Sequence, residues 1–180
     1  VIIIFLIAIF QAHGQSLGKL HGNVEQENEV VDGKVTPQVK SYLTYELHKK
    51  VGVYCWLQTN KNFSQVYCGP TFSPKAFVQV GVAAGVQTGK TTLRLAGFVW
   101  VGKGKFSNIF ILETRGGTWY RDVASFQASK HFTVSFVRER FTKDGARLDY
   151  IIPKTKNKFS VGGEYYFATR TARFGLRYSF

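Results

Sequence analysis

The last ten residues, TARFGLRYSF over 171–180, alternate without a break. Ala172, Phe174, Leu176, Tyr178 and Phe180 fall on one face of an extended chain, and Thr171, Arg173, Gly175, Arg177 and Ser179 on the other. The same period runs back through the preceding segment, where Phe159, Val161, Tyr165 and Phe167 oppose Ser160, Gly162, Glu164 and Tyr166. Further upstream, Leu93, Leu95, Val99 and Val101 oppose Thr92, Arg94, Ala96 and Trp100. Period two over whole segments predicts β-strands with one apolar face.

Eleven such segments of about ten residues are visible, at 39–48, 51–59, 63–72, 77–88, 91–102, 106–114, 118–127, 131–141, 146–152, 159–168 and 171–180. Turn-forming residues separate them, among them Ser73-Pro74, Gly102-Lys103-Gly104, Gly116-Gly117 and Lys143-Asp144-Gly145. No window after Phe10 keeps a helical period, and none holds the long apolar run of a membrane helix. The fold class is therefore all-β. Alternation alone fits either a soluble sandwich or a membrane barrel. Two features favour the barrel. Segments of this length match the 9 to 11 residues a tilted strand needs to cross the hydrocarbon. The 16% aromatic content, with 16 Phe and 9 Tyr placed toward strand ends, suits the two interfacial girdles of such a barrel.

The amino terminus bears on the compartment. Residues 1–10, VIIIFLIAIF, are purely apolar and too few to span a bilayer as a helix. With Ala12 and Gly14 behind them, residues 1–14 read as the apolar core and cleavage region of a secretory signal, truncated at its start. The expected organisation is a signal at 1–14, an amino-terminal segment at 15–38 that holds a possible first strand, and a barrel at 39–180. Cys55 and Cys68 are the only cysteines and lack the spacing of a zinc site. If Lys61 and Asn62 form a two-residue turn, Cys55 stands opposite Cys68. A cross-strand disulfide and two unlinked thiols both fit that register.

Within the terminal strand, Arg173, Gly175, Tyr178 and Phe180 resemble the carboxyl-terminal β-signal of bacterial outer-membrane β-barrel proteins: a polar residue, Gly two later, an aromatic third from the end and a final Phe. The resemblance implies that Gly175, Tyr178 and Phe180 are read by the barrel-assembly machinery, and that this strand closes a barrel in the outer membrane of a Gram-negative bacterium. Lipid and lipopolysaccharide would surround it. Such barrels use even strand numbers. Residues 20–31 supply the missing strand if Glu25, Glu27 and Glu29 face inward and meet Arg173 and Arg177 across the seam. Twelve strands is the preferred count, with ten the alternative.

A net charge of +13 would ordinarily point to a polyanion as partner. Here the lysines fall in turns rather than in a stripe, as solvated turn residues do, and nucleic acid is not expected as a partner. Glu46, Arg94, Glu113, Arg121, Arg147, Asp149, Glu164, Arg173 and Arg177 are expected to line the interior. Open, such arginines would favour anions; neutralised by the acids, they would close the barrel. No nucleophile and base share a strand within reach: His131 and Ser135 lie about 13 Å apart along one strand. Neither an enzyme, a metal site nor a cofactor is expected. The leading expectation is a narrow, weakly anion-preferring channel for small solutes. In size and basic lumen it is similar to the twelve-stranded porins for acidic oligosaccharides. A non-conducting structural barrel and a secreted, soluble lipocalin-like barrel are the alternatives.

Overall fold

The computed structural model describes residues 19–114 and 118–180, with backbone only at 90–92. The described residues form twelve antiparallel strands: β1 (Leu20–Val31), β2 (Lys34–His48), β3 (Val51–Asn60), β4 (Ser64–Lys75), β5 (Val78–Gln87), β6 (Lys90–Lys103), β7 (Phe106–Thr114), β8 (Trp119–Gln127), β9 (Phe132–Glu139), β10 (Lys143–Ile151), β11 (Phe159–Tyr166) and β12 (Thr171–Ser179). Each pairs with the next, and β1 pairs with β12, so the sheet closes on itself. The expected twelve-strand barrel is the observed one. The signal-like residues 1–14 lie outside the described residues.

The extra strand and a longer second strand come from one hairpin. Asp32 and Gly33 take φ values of 48° and 73°, the left-handed pair of a type I′ turn whose twist matches its strands. Pairing then starts at Val31 opposite Lys34, not at Val39 as expected from sequence. Pro37 is tolerated inside β2 because β3 joins only from Gln38 onward, leaving the strand with a single neighbour at that point. At the seam, Glu25 stands opposite Arg177 and Glu29 opposite Arg173. Gly175 faces Glu27 there, and any side chain on it would collide with the backbone oxygen of Gln26.

The barrel is polar inside and apolar outside. Leu93 is 63% exposed, Val82 65% and Phe174 50%, whereas Glu27 is 1% and Glu164 3% exposed. An apolar outer belt of this extent is tolerable where the solvent is lipid. Aromatic pairs border the belt at the end that holds both termini of the barrel: Phe106 with Phe126, Phe132 with Tyr150, and Phe159 with Tyr178, each with centroids within 5 Å. Phe110 with Tyr120 and Tyr165 with Phe167 lie toward the opposite end. Asn60 and Phe63 close the β3–β4 turn, Cys55 pairs with Cys68 in register, and the two sulfurs are bonded. The bridge sits on the outer face, since its neighbours Tyr54, Trp56 and Tyr67 point inward and are buried.

Candidate functional site in the barrel interior

Two kinds of side chain fill the lumen, each on its own arc of the wall. From β8 round to β2 the inward positions carry most of the charged side chains, interspersed with residues such as Ser135 and Val137. Arg121 on β8 donates to Glu139 at 2.8 Å, to Glu164 at 2.6 Å and to the Tyr166 hydroxyl at 2.7 Å. Arg173 on β12 reaches Glu29 at 2.8 Å, Glu139 at 2.9 Å and Glu164 at 3.3 Å. Arg147 on β10 holds Asp149 at 2.8 Å and Glu25 at 2.6 Å, and Arg177 approaches Glu25 at 3.2 Å. Lys40 donates to Glu27 at 2.5 Å. Four of these ten contacts skip intervening strands, Arg121 to Glu164 and to Tyr166, Arg173 to Glu139 and Arg147 to Glu25, so these guanidiniums act as chords that tie one arc together. Each buried charge has an opposite partner, which is the condition for keeping charges in a low-dielectric interior.

The other arc is aromatic. Tyr54 packs edge-on against Phe98 at 4.8 Å, and Trp56 stacks on Tyr67 at 5.5 Å. These rings have room because small residues stand beside them on the inner face. A side chain on Gly81 would meet the Phe98 ring, and one on Gly85 the Tyr67 ring. The Tyr67 hydroxyl donates to Glu113 at 2.8 Å, and Arg94 lies 3.4 Å from the same carboxylate. Trp56 on β3 also stacks on Trp119 of β8 at 6.0 Å, joining nearly opposite walls and narrowing the lumen. A relay of amides runs beside it, Gln65 to Gln58 to Gln38 to Glu27.

Between the two arcs lies a cavity of about 510 Å³. Its lining extends from Ser107, Asn157 and Ser179, beside the turns at the terminal end, to Arg121, Glu139 and Arg173 deep inside. Five cations line it, Lys40, Arg121, Arg147, Arg173 and Arg177, against three acids, Glu25, Glu139 and Asp149. Glu27 and Glu164 stand behind them, while Glu29, outside the lining, is 26% exposed. The Arg177 side chain is 28% exposed and that of Lys40 21%, but those of Glu164 and Glu27 only 1% and 2%. Across the cavity, Tyr42, Trp56 and Trp119 form an aromatic wall.

Eight of the nine residues singled out from sequence point into the lumen and take part in its ion pairs: Arg94 with Glu113, and Arg121, Arg147, Asp149, Glu164, Arg173 and Arg177 in the larger network. Glu46 does not join them. It sits at the terminal rim, half exposed, 3.5 Å from His21. Sequence reasoning left out Lys40, Glu139, Tyr67, Gln38, Gln58 and Trp119. Gln38 becomes legible once β2 is extended back beyond Val39, whereas Lys40 already lies in the expected strand at 39–48 on the parity of Glu46. Trp119 gave no signal, because its role depends on a partner five strands away.

No family model matches this chain, and no curated protein does either. Solved structures do. The KdgM porin superposes with a TM-score of 0.61 at 11% identity, covering 88% of this chain and 99% of that one. A second KdgM structure, in complex with disordered oligogalacturonate, gives 0.62 at 12% identity over 88% and 99%. The Acinetobacter baumannii outer membrane protein Omp33 gives 0.56 at 13% identity over 92% and 99%. The fold is that of the outer-membrane porins. The shared architecture extends over nearly the whole length of each neighbour.

Proposed function

We propose that this chain is an outer-membrane channel for small solutes with a weak preference for anions. The observation that carries the reading is the layering of charge along the cavity. Five cations share the lining with only three acids, Glu25, Glu139 and Asp149, while Glu27 and Glu164 lie behind them. Rings of guanidinium and ammonium groups lower the barrier for anions in a pore. The preference is weak because the described residues of the interior include seven carboxylates (Glu25, Glu27, Glu29, Glu113, Glu139, Asp149 and Glu164) against six cations (Lys40, Arg94, Arg121, Arg147, Arg173 and Arg177). A basic wall facing Tyr42, Trp56 and Trp119 suits a small acid with an apolar face, and acidic saccharides are one such class. That one of the similar barrels was solved with oligogalacturonate supports this choice of class.

A second reading is a non-conducting barrel with a structural role. The Trp56–Trp119 stack and the chord-like ion pairs favour it, since both fill the lumen. Planar-bilayer recording of refolded protein separates the two. Conductance steps support the channel, and their absence at every voltage leaves the structural barrel.

A further inference from the structure

Both ends of the barrel carry basic turn residues, but at the end away from the termini Lys34, Lys61, Lys143 and Arg170 are interspersed with the acids Asp32 and Asp144. All five turns at the end that holds both barrel termini carry or adjoin lysine, from Lys50 and Lys75 through Lys105 and Lys130 to Lys156. Glu46 is the one carboxylate among the described residues at that rim, and it stands beside His21. Several of these ammonium groups lie against girdle rings: Lys75 is 5.7 Å from the centroid of Phe77, and Lys158 is 5.8 Å from that of Tyr178. This places them at the level of lipid headgroups, not in the bulk solvent beyond.

One stretch of this rim continues into a furrow on the outer face. Ala124 and Asn108 form its floor, Val101 and Phe136 flank them, the touching rings of Phe106 and Phe126 stand between this floor and the rim, and its volume is about 590 Å³. Lys103 lines the furrow where it meets the rim, and Lys105 follows on the adjoining turn. A mostly apolar depression, reached from rim ammonium groups over the Phe106–Phe126 rings, is complementary to a phosphate joined to an acyl chain that lies across those rings.

We propose that the lysine-bearing end binds anionic phospholipid, with one molecule seated in the β6–β9 furrow: its phosphate meets Lys103 and Lys105, and an acyl chain lies over Ala124. The inference rests on the membrane-barrel reading above but not on whether the lumen conducts. A lysine near an anionic lipid surface strengthens attachment by about fivefold, so selection by the crown as a whole is measurable.

The test is native mass spectrometry of the full chain released from vesicles of equal parts phosphatidylcholine and phosphatidylglycerol. Phosphatidylglycerol is expected to be enriched on the protein. K103S/K105S is expected to lower that enrichment, Ala124→Phe to lower it by blocking the furrow, and Lys61→Ser, on a turn at the opposite end, to leave it unchanged. Heat-modifiable migration on gels verifies that each variant is folded. Equal binding of both lipids by inserted protein overturns the proposal, as does enrichment that K103S/K105S leaves intact. Binding of soluble polyphosphate at this rim with no lipid selectivity overturns it in favour of a soluble polyanion. A chain that never inserts overturns the barrel reading, and this proposal with it.

Discussion

One guanidinium, that of Arg173 on the last strand, is held at 2.8 Å by Glu29 of the first strand and at 2.9 Å by Glu139 of β9. The first contact crosses the seam that closes the barrel, and the second ties that seam to the opposite side of the charged arc. Closure and the lining of the lumen therefore depend on the same side chain.

Removing that side chain should destabilise the barrel more than an exposed change would. Truncating one member of a buried ion pair leaves its partners uncompensated and costs on the order of 3–5 kcal/mol. Arg173→Ala is expected to shift urea unfolding in lipid vesicles by that amount, and R173A/E139Q to recover part of the loss. Arg138→Ala, whose partner Asp144 lies in an exposed pair at 2.6 Å, should leave the unfolding midpoint nearly unchanged.

The aromatic arc makes a separate demand. Phe98 and Tyr67 occupy the space that Gly81 and Gly85 leave open. Overpacking of this kind costs roughly 1–3 kcal/mol. Gly81→Val is expected to lower stability within that range, and Gly81→Val with Phe98→Ala to lower it less than the two single losses combined. The same unfolding measurement checks both.

Cys55 and Cys68 are joined on the outer face of β3 and β4. Thiol titration of unreduced, denatured protein should therefore find no free thiol. Closing so short a loop constrains the unfolded chain by about 3 kcal/mol in the chain-entropy account, so C55S/C68S is expected to unfold at lower urea while still inserting.

Much of this was legible in the sequence because a barrel repeats one simple rule. Period two assigned Arg94, Arg121, Arg147, Glu164 and Arg177 to the inner face with no knowledge of their partners. The acidic ladder of Glu25, Glu27 and Glu29 was placed against β12 by strand parity and charge, and the observed register sets Glu25 against Arg177 and Glu29 against Arg173. What stayed hidden was contact across the lumen. Trp56 meets Trp119, and Arg121 meets Glu164, through barrel curvature and strand stagger, neither of which a linear pattern encodes. Glu46 shows the reverse limit: parity gave its face but not its height, which is the rim.

The Trp56–Trp119 stack narrows the path between the walls. Trp119→Ala should raise single-channel conductance in planar bilayers, with little change in selectivity because the cations remain. A variant whose conductance equals that of the parent would place the narrowest point elsewhere.

The most direct test of the account is the reversal potential of the parent channel under a KCl gradient. The layering of Lys40, Arg121, Arg147, Arg173 and Arg177 over buried carboxylates predicts a small shift toward the chloride equilibrium potential, reduced in Arg177→Gln. A potential displaced toward that of potassium would contradict it.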